Sequence, residues 1–177
     1  MSEEIGRAYL DSVIKRFENL KALGEAAFNQ LNDAEFGHAP APECNSVTVT
    51  VKHLRGNMIS RFTEFLTSDG EKPWRGRDDE FVVKGTETRA DVMAWWEEGW
   101  ERVFDSIDAL SPEDLTRTVR IRGNELSAVD AINRQLQHYA YHVGQIVLLA
   151  KLHRGGDWNT LSIPRGKSEE YFAGNRD

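Results

Sequence analysis

One cysteine, Cys44, stands in a chain of 177 residues. A lone thiol excludes an intrachain disulfide and any cluster of thiolates holding a metal. No apolar run approaches the roughly 20 residues that a membrane-crossing helix needs. Positive charge is also short: the formal net charge is -7, so no broad basic surface is available to neutralise nucleic-acid phosphates. The opening Met1-Ser2-Glu3-Glu4 is acidic and lacks the basic start and apolar centre of a signal peptide, so the expectation is a cytoplasmic protein. No internal repeat and no linker breaks the chain, which reads as a single domain over 1–177. Apolar residues make up 40% and charged residues 29%, the balance of a globular chain rather than a disordered one.

What the chain has in quantity is helical periodicity. Ile5, Tyr9, Val13, Phe17, Leu20, Ala27 and Leu31 mark a helix over 3–32. Gly24 is its weak point. Over 46–67, Val47-Thr48-Val49-Thr50-Val51 alternates like a strand, whereas Leu54, Met58, Phe62 and Phe65 have helical spacing. One helix is the simpler expectation, because a strand running into a helix without a turn is unusual; the strand alternative stays open. Residues 68–87 form a charged loop of about 20 residues, a length that in a compact domain marks function or disorder. Trp74 and Phe81 should anchor it. A third helix spans 89–110, with Thr88 and Asp91 as its cap and Trp96 and Trp100 on its buried face. Thr118 to Glu125 reads as two short strands around a Gly123-Asn124 turn. The fourth helix follows Ser127, runs to about Leu152 and stops at Gly155-Gly156. Trp158, Leu161 and Ile163 suggest a tail packed on the helices, with the last few residues mobile. The expected fold class is all-α, a four-helix bundle with long ordered loops.

The chemistry gathers around Gln137-His138-Tyr139-Ala140-Tyr141-His142-Val143-Gly144-Gln145. His138 and His142 are four residues apart, so both imidazoles leave one helical face and can share one metal ion. Such a pair also arises by chance, and two ordinary core histidines fit the same spacing. His53 is the candidate third ligand. On base rates a lone histidine is more often a plain surface or core residue. Asn57, one turn beyond His53, and Gln145 are the candidate partners of the imidazoles' outer nitrogens. His38 and His153 read as surface residues. Arg75, Arg77, Asp78, Asp79 and Glu80 read most simply as a solvated loop; the alternative is a lid whose arginine meets an anionic ligand. The stretch Ser162 to Ser168 lacks the first glycine of a phosphate loop and follows no strand.

With Val51-Lys52-His53-Leu54 in the second helix and His138-x-x-x-His142 in the last, the chain resembles the DinB/YfiT-like superfamily of metalloenzymes. Lys52-His53-Leu54-Arg55-Gly56-Asn57-Met58, Asp69-Gly70-Glu71-Lys72-Pro73-Trp74 and Leu161 to Ser168 look like an uncharacterised branch of it. The resemblance spans nearly the whole chain. It implies a four-helix bundle holding a divalent metal, usually zinc or nickel, on His53, His138 and His142. It also implies a homodimer. Some relatives are transferases in which the metal activates a low-molecular-weight thiol such as bacillithiol, mycothiol or glutathione. The expected partner is therefore a small-molecule substrate, such a thiol among them, with no nucleic acid and no membrane. No general base is suggested. A metal-dependent thiol transferase or hydrolase is the leading expectation. A metal-stabilised or stress-related binding protein without turnover is the alternative, and an interaction bundle with no metal is a third.

Overall fold

A computed structural model describes residues 2–174. Within them the chain is mostly helical: six helices and one sheet of two strands. None of these helices is long and apolar enough to cross a membrane.

Helix α1 spans Glu3–Phe28. Ser2 caps it, and Glu3 and Glu4 complement the positive end of the helix dipole. It stops short of residue 32 because Asn32 starts another helix, α2 (Asp33–Gly37). There the Asn32 side chain accepts from the Glu35 backbone N–H while the Glu35 carboxylate accepts from that of Asn32, a reciprocal capping box. Periodicity cannot reveal a helix this short, although Asn-x-x-Glu carried the signal.

Helix α3 is Val47–Phe62, so the strand alternative for residues 47–51 is set aside. Ser46 caps the helix through the Val49 N–H. The Thr48 and Thr50 hydroxyls donate to the carbonyls of Phe36 and Ser46, leaving neither buried donor unpaired. All five residues from Val47 to Val51 are buried, so the alternation marks no exposed face. β-branched residues cost a helix roughly 0.7 kcal/mol each at most, whereas burying each valine returns about 1.5–3 kcal/mol. Packing therefore overrides local propensity. The helix ends five residues before residue 67: Thr63 is extended and Glu64 has a φ of 50°, which lets Phe65 stack on Phe62 at 5.5 Å.

Helix α4 is Arg89–Asp108, capped reciprocally by Thr88 and Asp91. Its approach to α1 explains Gly24, where a Cβ would lie 2.5 Å from the Trp96 indole. After a 3-10 turn at Pro112–Thr116 come strands β1 (Thr118–Ile121) and β2 (Asn124–Ser127), antiparallel with Ile121 opposite Asn124. Arg122 and Gly123 make the turn, with φ of 56° and 75°, one residue before the expected Gly123-Asn124. Two consecutive positive φ values match the hairpin turn whose twist suits the strands. Helix α5 (Ala128–Arg154) is capped by Ser127 and closed by Gly155, whose φ is 53°.

Helix α3 packs along α4, and α1 along α5, with further contacts between α3 and α5 and between α1 and α4. Between them lies an aromatic centre of Phe17, Trp96, Trp100 and Tyr139, the rings 5.5–5.9 Å apart. Trp158 and Leu161 pack on the core, as expected of the tail. Beyond them the short helix α6 (Ser168–Gly174) buries nothing. The last three residues, expected to be mobile, lie outside those described.

The loop after α3 is ordered by hydrogen bonds. The Asp69 carboxylate accepts from the backbone N–H groups of Glu71, Arg122 and Gly123, and the Gly70 N–H donates to the Arg120 carbonyl. This ties the loop to the hairpin. Phe81 lies against His53, but Trp74, the other expected anchor, is 58% exposed.

Candidate metal centre

His53 sits in the second turn of α3, and His138 and His142 lie one turn apart on α5. The packing of α3 on α5 brings the three rings together. The His138 Nε2 is 3.3 Å from that of His53 and 3.1 Å from that of His142. One ligand atom from each histidine falls within 4.8 Å of the others, and this is the one such cluster of three among the described residues. His53 and His142 are buried, at 6% and 8% exposure, and His138 is half-buried.

The outer nitrogens have partners. The His53 Nδ1–H donates to the Glu80 carboxylate at 2.8 Å, and the His142 Nδ1–H to the Gln145 side-chain oxygen at 2.8 Å. Both partners accept, so both rings carry their proton on Nδ1 and turn an Nε2 lone pair inward. Two lone pairs face the third imidazole, which has one proton at most to share between them. Such an arrangement of donors suits a cation. Two nitrogens held about 2.0–2.1 Å from one tetrahedral ion stand roughly 3.4 Å apart, close to the spacing seen. The donor set therefore fits a divalent metal.

Glu80 is itself held. The Arg75 guanidinium grips its carboxylate with two parallel bonds, Nε to Oε1 at 2.6 Å and Nη2 to Oε2 at 2.8 Å. Gly56 leaves the room for it: a Cβ there would fall 2.1 Å from the Glu80 Oε1. Glu80 reaches this place from a 3-10 turn at Asp78–Phe81, and the Phe81 ring covers His53 at 5.2 Å. The expectation that Arg75 and Glu80 belong to a solvated loop is thereby corrected. Glu80 is 6% exposed and the Arg75 side chain 2%. Neither residue lies on a periodic segment, so their burial left no mark in the sequence beyond an unusually long charged loop.

Electrostatics follow from this packing. Burial first, then the nearby His142 and His53, push His138 down to about 3. Burial also lowers His142, against the opposing hydrogen bond to Gln145. Burial alone would raise Glu80, but the bonds from Arg75 and His53 outweigh it and hold the carboxyl below its usual range. His138 and His142 are thus held in the neutral form that a metal needs, and the Glu80 carboxylate stands ionised behind His53.

Asn57, expected to hold an outer nitrogen, does not: Glu80 takes that of His53, and the Asn57 side-chain oxygen accepts from the Tyr139 hydroxyl at 3.2 Å. Both Asn57 and Gln135 line a cavity of about 410 Å³ that opens beside His53 and His138. His38 and His153 pair with one another instead, ring to ring at 4.9 Å.

The chain matches, over residues 4–167, the model of a family described as protein of unknown function, DUF1572. It belongs to that family, which is DinB-like. No curated protein matches it.

Proposed function

We propose that this protein is a metal-dependent enzyme on a DinB-like four-helix bundle, with a zinc or nickel ion held by His53, His138 and His142. The observation that carries the reading is the convergence of three inward-facing Nε2 atoms beside an open cavity. Three neutral imidazoles with a free coordination position are typical of catalytic rather than purely structural zinc sites. When bound, the metal would lower the pKa of a thiol or water to supply a nucleophile near neutral pH. The protein's own groups set that up. Glu80 and Gln145 fix which nitrogen of His53 and His142 is protonated, and Arg75 keeps Glu80 ionised and in place. The reaction class is thiol transfer or hydrolysis in the cytoplasm, with a small-molecule substrate and a low-molecular-weight thiol as the candidate co-substrate.

A homodimer fits the outer surface of α5. Tyr141, Leu148 and Leu152 are 63%, 56% and 62% exposed and share one helical face. Turnover of the zinc- or nickel-loaded protein on a panel of electrophiles with added thiol, and of activated esters without it, tests the reading. Wild type should turn over at least one member, and His142→Ala should lose at least 100-fold. No turnover in either, with a melting temperature that falls only in the variant, would make the metal a purely stabilising part.

A further inference from the structure

The cavity beside the histidines is lined by five arginines drawn from four segments: Arg61 of α3, Arg75 and Arg77 of the loop, Arg122 of the hairpin turn and Arg134 of α5. Among the described residues no carboxylate lines it. Two stand behind the wall, and both are already engaged. Glu71 accepts from Arg61 and Arg122, and Glu80 from Arg75 and His53. Five guanidiniums therefore face two carboxylates, in a chain whose overall charge is -7. Among the described residues Arg77 and Arg134 have no acidic partner. The Arg122 Nε is taken by Glu71, but its terminal nitrogens make no hydrogen bond to the described residues.

Arg75 adds a second, independent observation. Its side chain is 2% exposed, two of its nitrogens bind Glu80, and the third, Nη1, is buried with no hydrogen-bond partner among the described residues. The nearest carboxylate oxygen, on Glu71, is 3.7 Å from that Nη1, beyond hydrogen-bond range. An unpaired buried donor on a charged group is costly. Guanidiniums gathered around one space repel one another as well. An oxyanion entering the cavity offsets this repulsion and the positive charge of Arg75, since guanidinium matches carboxylate and phosphate oxygens two at a time. The volume of about 410 Å³ lies within the usual range for small-molecule sites, but a lining this charged suits a polar occupant.

We infer that this cavity binds a small molecule bearing two or more oxyanion groups, carboxylate or phosphate, and holds it by Arg77, Arg122 and Arg134 with Arg75 at its inner end. Such a molecule lies beside His53 and His138, so it is the substrate class of the proposed metal site; in that respect the inference rests on the function proposed above. Arg75 links the two parts physically, since one guanidinium both borders the cavity and clamps the carboxylate behind His53.

The test is calorimetric titration of the full chain, after zinc loading, with pyrophosphate, succinate and the neutral succinamide at low salt. At least one anion should bind, at least tenfold tighter than succinamide. Arg77→Gln and Arg134→Gln, both at exposed positions, should each weaken that anion roughly five- to tenfold, with zinc content unchanged. Which of pyrophosphate and succinate binds tighter assigns the site to phosphate or carboxylate. Zinc bound with no anion preference over succinamide, or anion affinity unchanged in both variants, overturns the inference and leaves the metal reading standing. Arginine-dependent anion binding by a protein that takes up no zinc or nickel supports the inference and overturns the metal reading instead.

Discussion

Two buried regions lie side by side in this protein and are built on opposite principles. The aromatic centre is held by ring packing, with Phe17, Trp96 and Trp100 almost fully enclosed and the indole nitrogens of Trp96 and Trp100 without hydrogen-bond partners among the described residues. The histidine end is held by directed bonds: Arg75 to Glu80, His53 to Glu80, His142 to Gln145. One maximises dispersion and tolerates lost polar contacts. The other orients polar groups and gathers like charges that favour no fold by themselves. Tyr139 joins the two, with its ring among the aromatics and its hydroxyl on Asn57 at the cavity wall. The contrast separates what keeps the chain folded from what the proposed function would use.

The sharpest way to break that contrast is Trp100→Ala. It should cost about 3–5 kcal/mol of stability, read by denaturant unfolding, while the surviving folded protein keeps its metal stoichiometry. Glu80→Gln strikes the other region. Metal affinity should fall roughly 10–100-fold, read by competition with a chromophoric chelator, and the metal-free protein should also lose stability at neutral pH, because Arg75 is left buried without its counter-charge. Gly56→Ala should lower metal affinity less, about tenfold, by pushing Glu80 from its seat without touching a ligand. Tyr139→Phe, at the seam, should cost about 1 kcal/mol and leave the ligands in place.

The pH dependence is gentler and has a definite sign. His138 and His142 are held below their ordinary value in the folded chain, so the unfolded state binds more protons. Their contribution is complete above about pH 6.5 and is lost as pH falls toward the folded His138 value of about 3. Glu80, also lowered, weakens the fold in the same direction at lower pH. Metal-free protein should therefore lose stability steadily on acidification below about pH 6.5, and His138→Gln should flatten the upper part of that curve, as followed by thermal melts from pH 7 to 4.

Much of this was legible in the sequence where one rule governs. Long amphipathic stretches announced α1, α3, α4 and α5, and Ser127 with Asp130 announced the start of α5. His138 and His142 declared a common face by spacing alone. For His53 the strongest warrant was family resemblance rather than spacing, because distance between segments is not written in local pattern. The loop was the least legible part. Arg75 and Glu80 look like solvated charges until the chain folds back and Gly56 receives the carboxylate. Arg61, Arg122 and Arg134 sit on three different elements, and no spacing rule joins them. Helix ends were misplaced where a single side chain decides, as when Asn32 opens α2.

The central claim is that the three histidines hold one metal ion. Elemental analysis of untagged protein, wild type beside His142→Ala, tests it directly. The account predicts about one equivalent of zinc or nickel per wild-type chain, as purified or after adding either metal, and a large loss in the variant. Less than about a tenth of an equivalent in wild type, with no uptake on adding either metal, would contradict it.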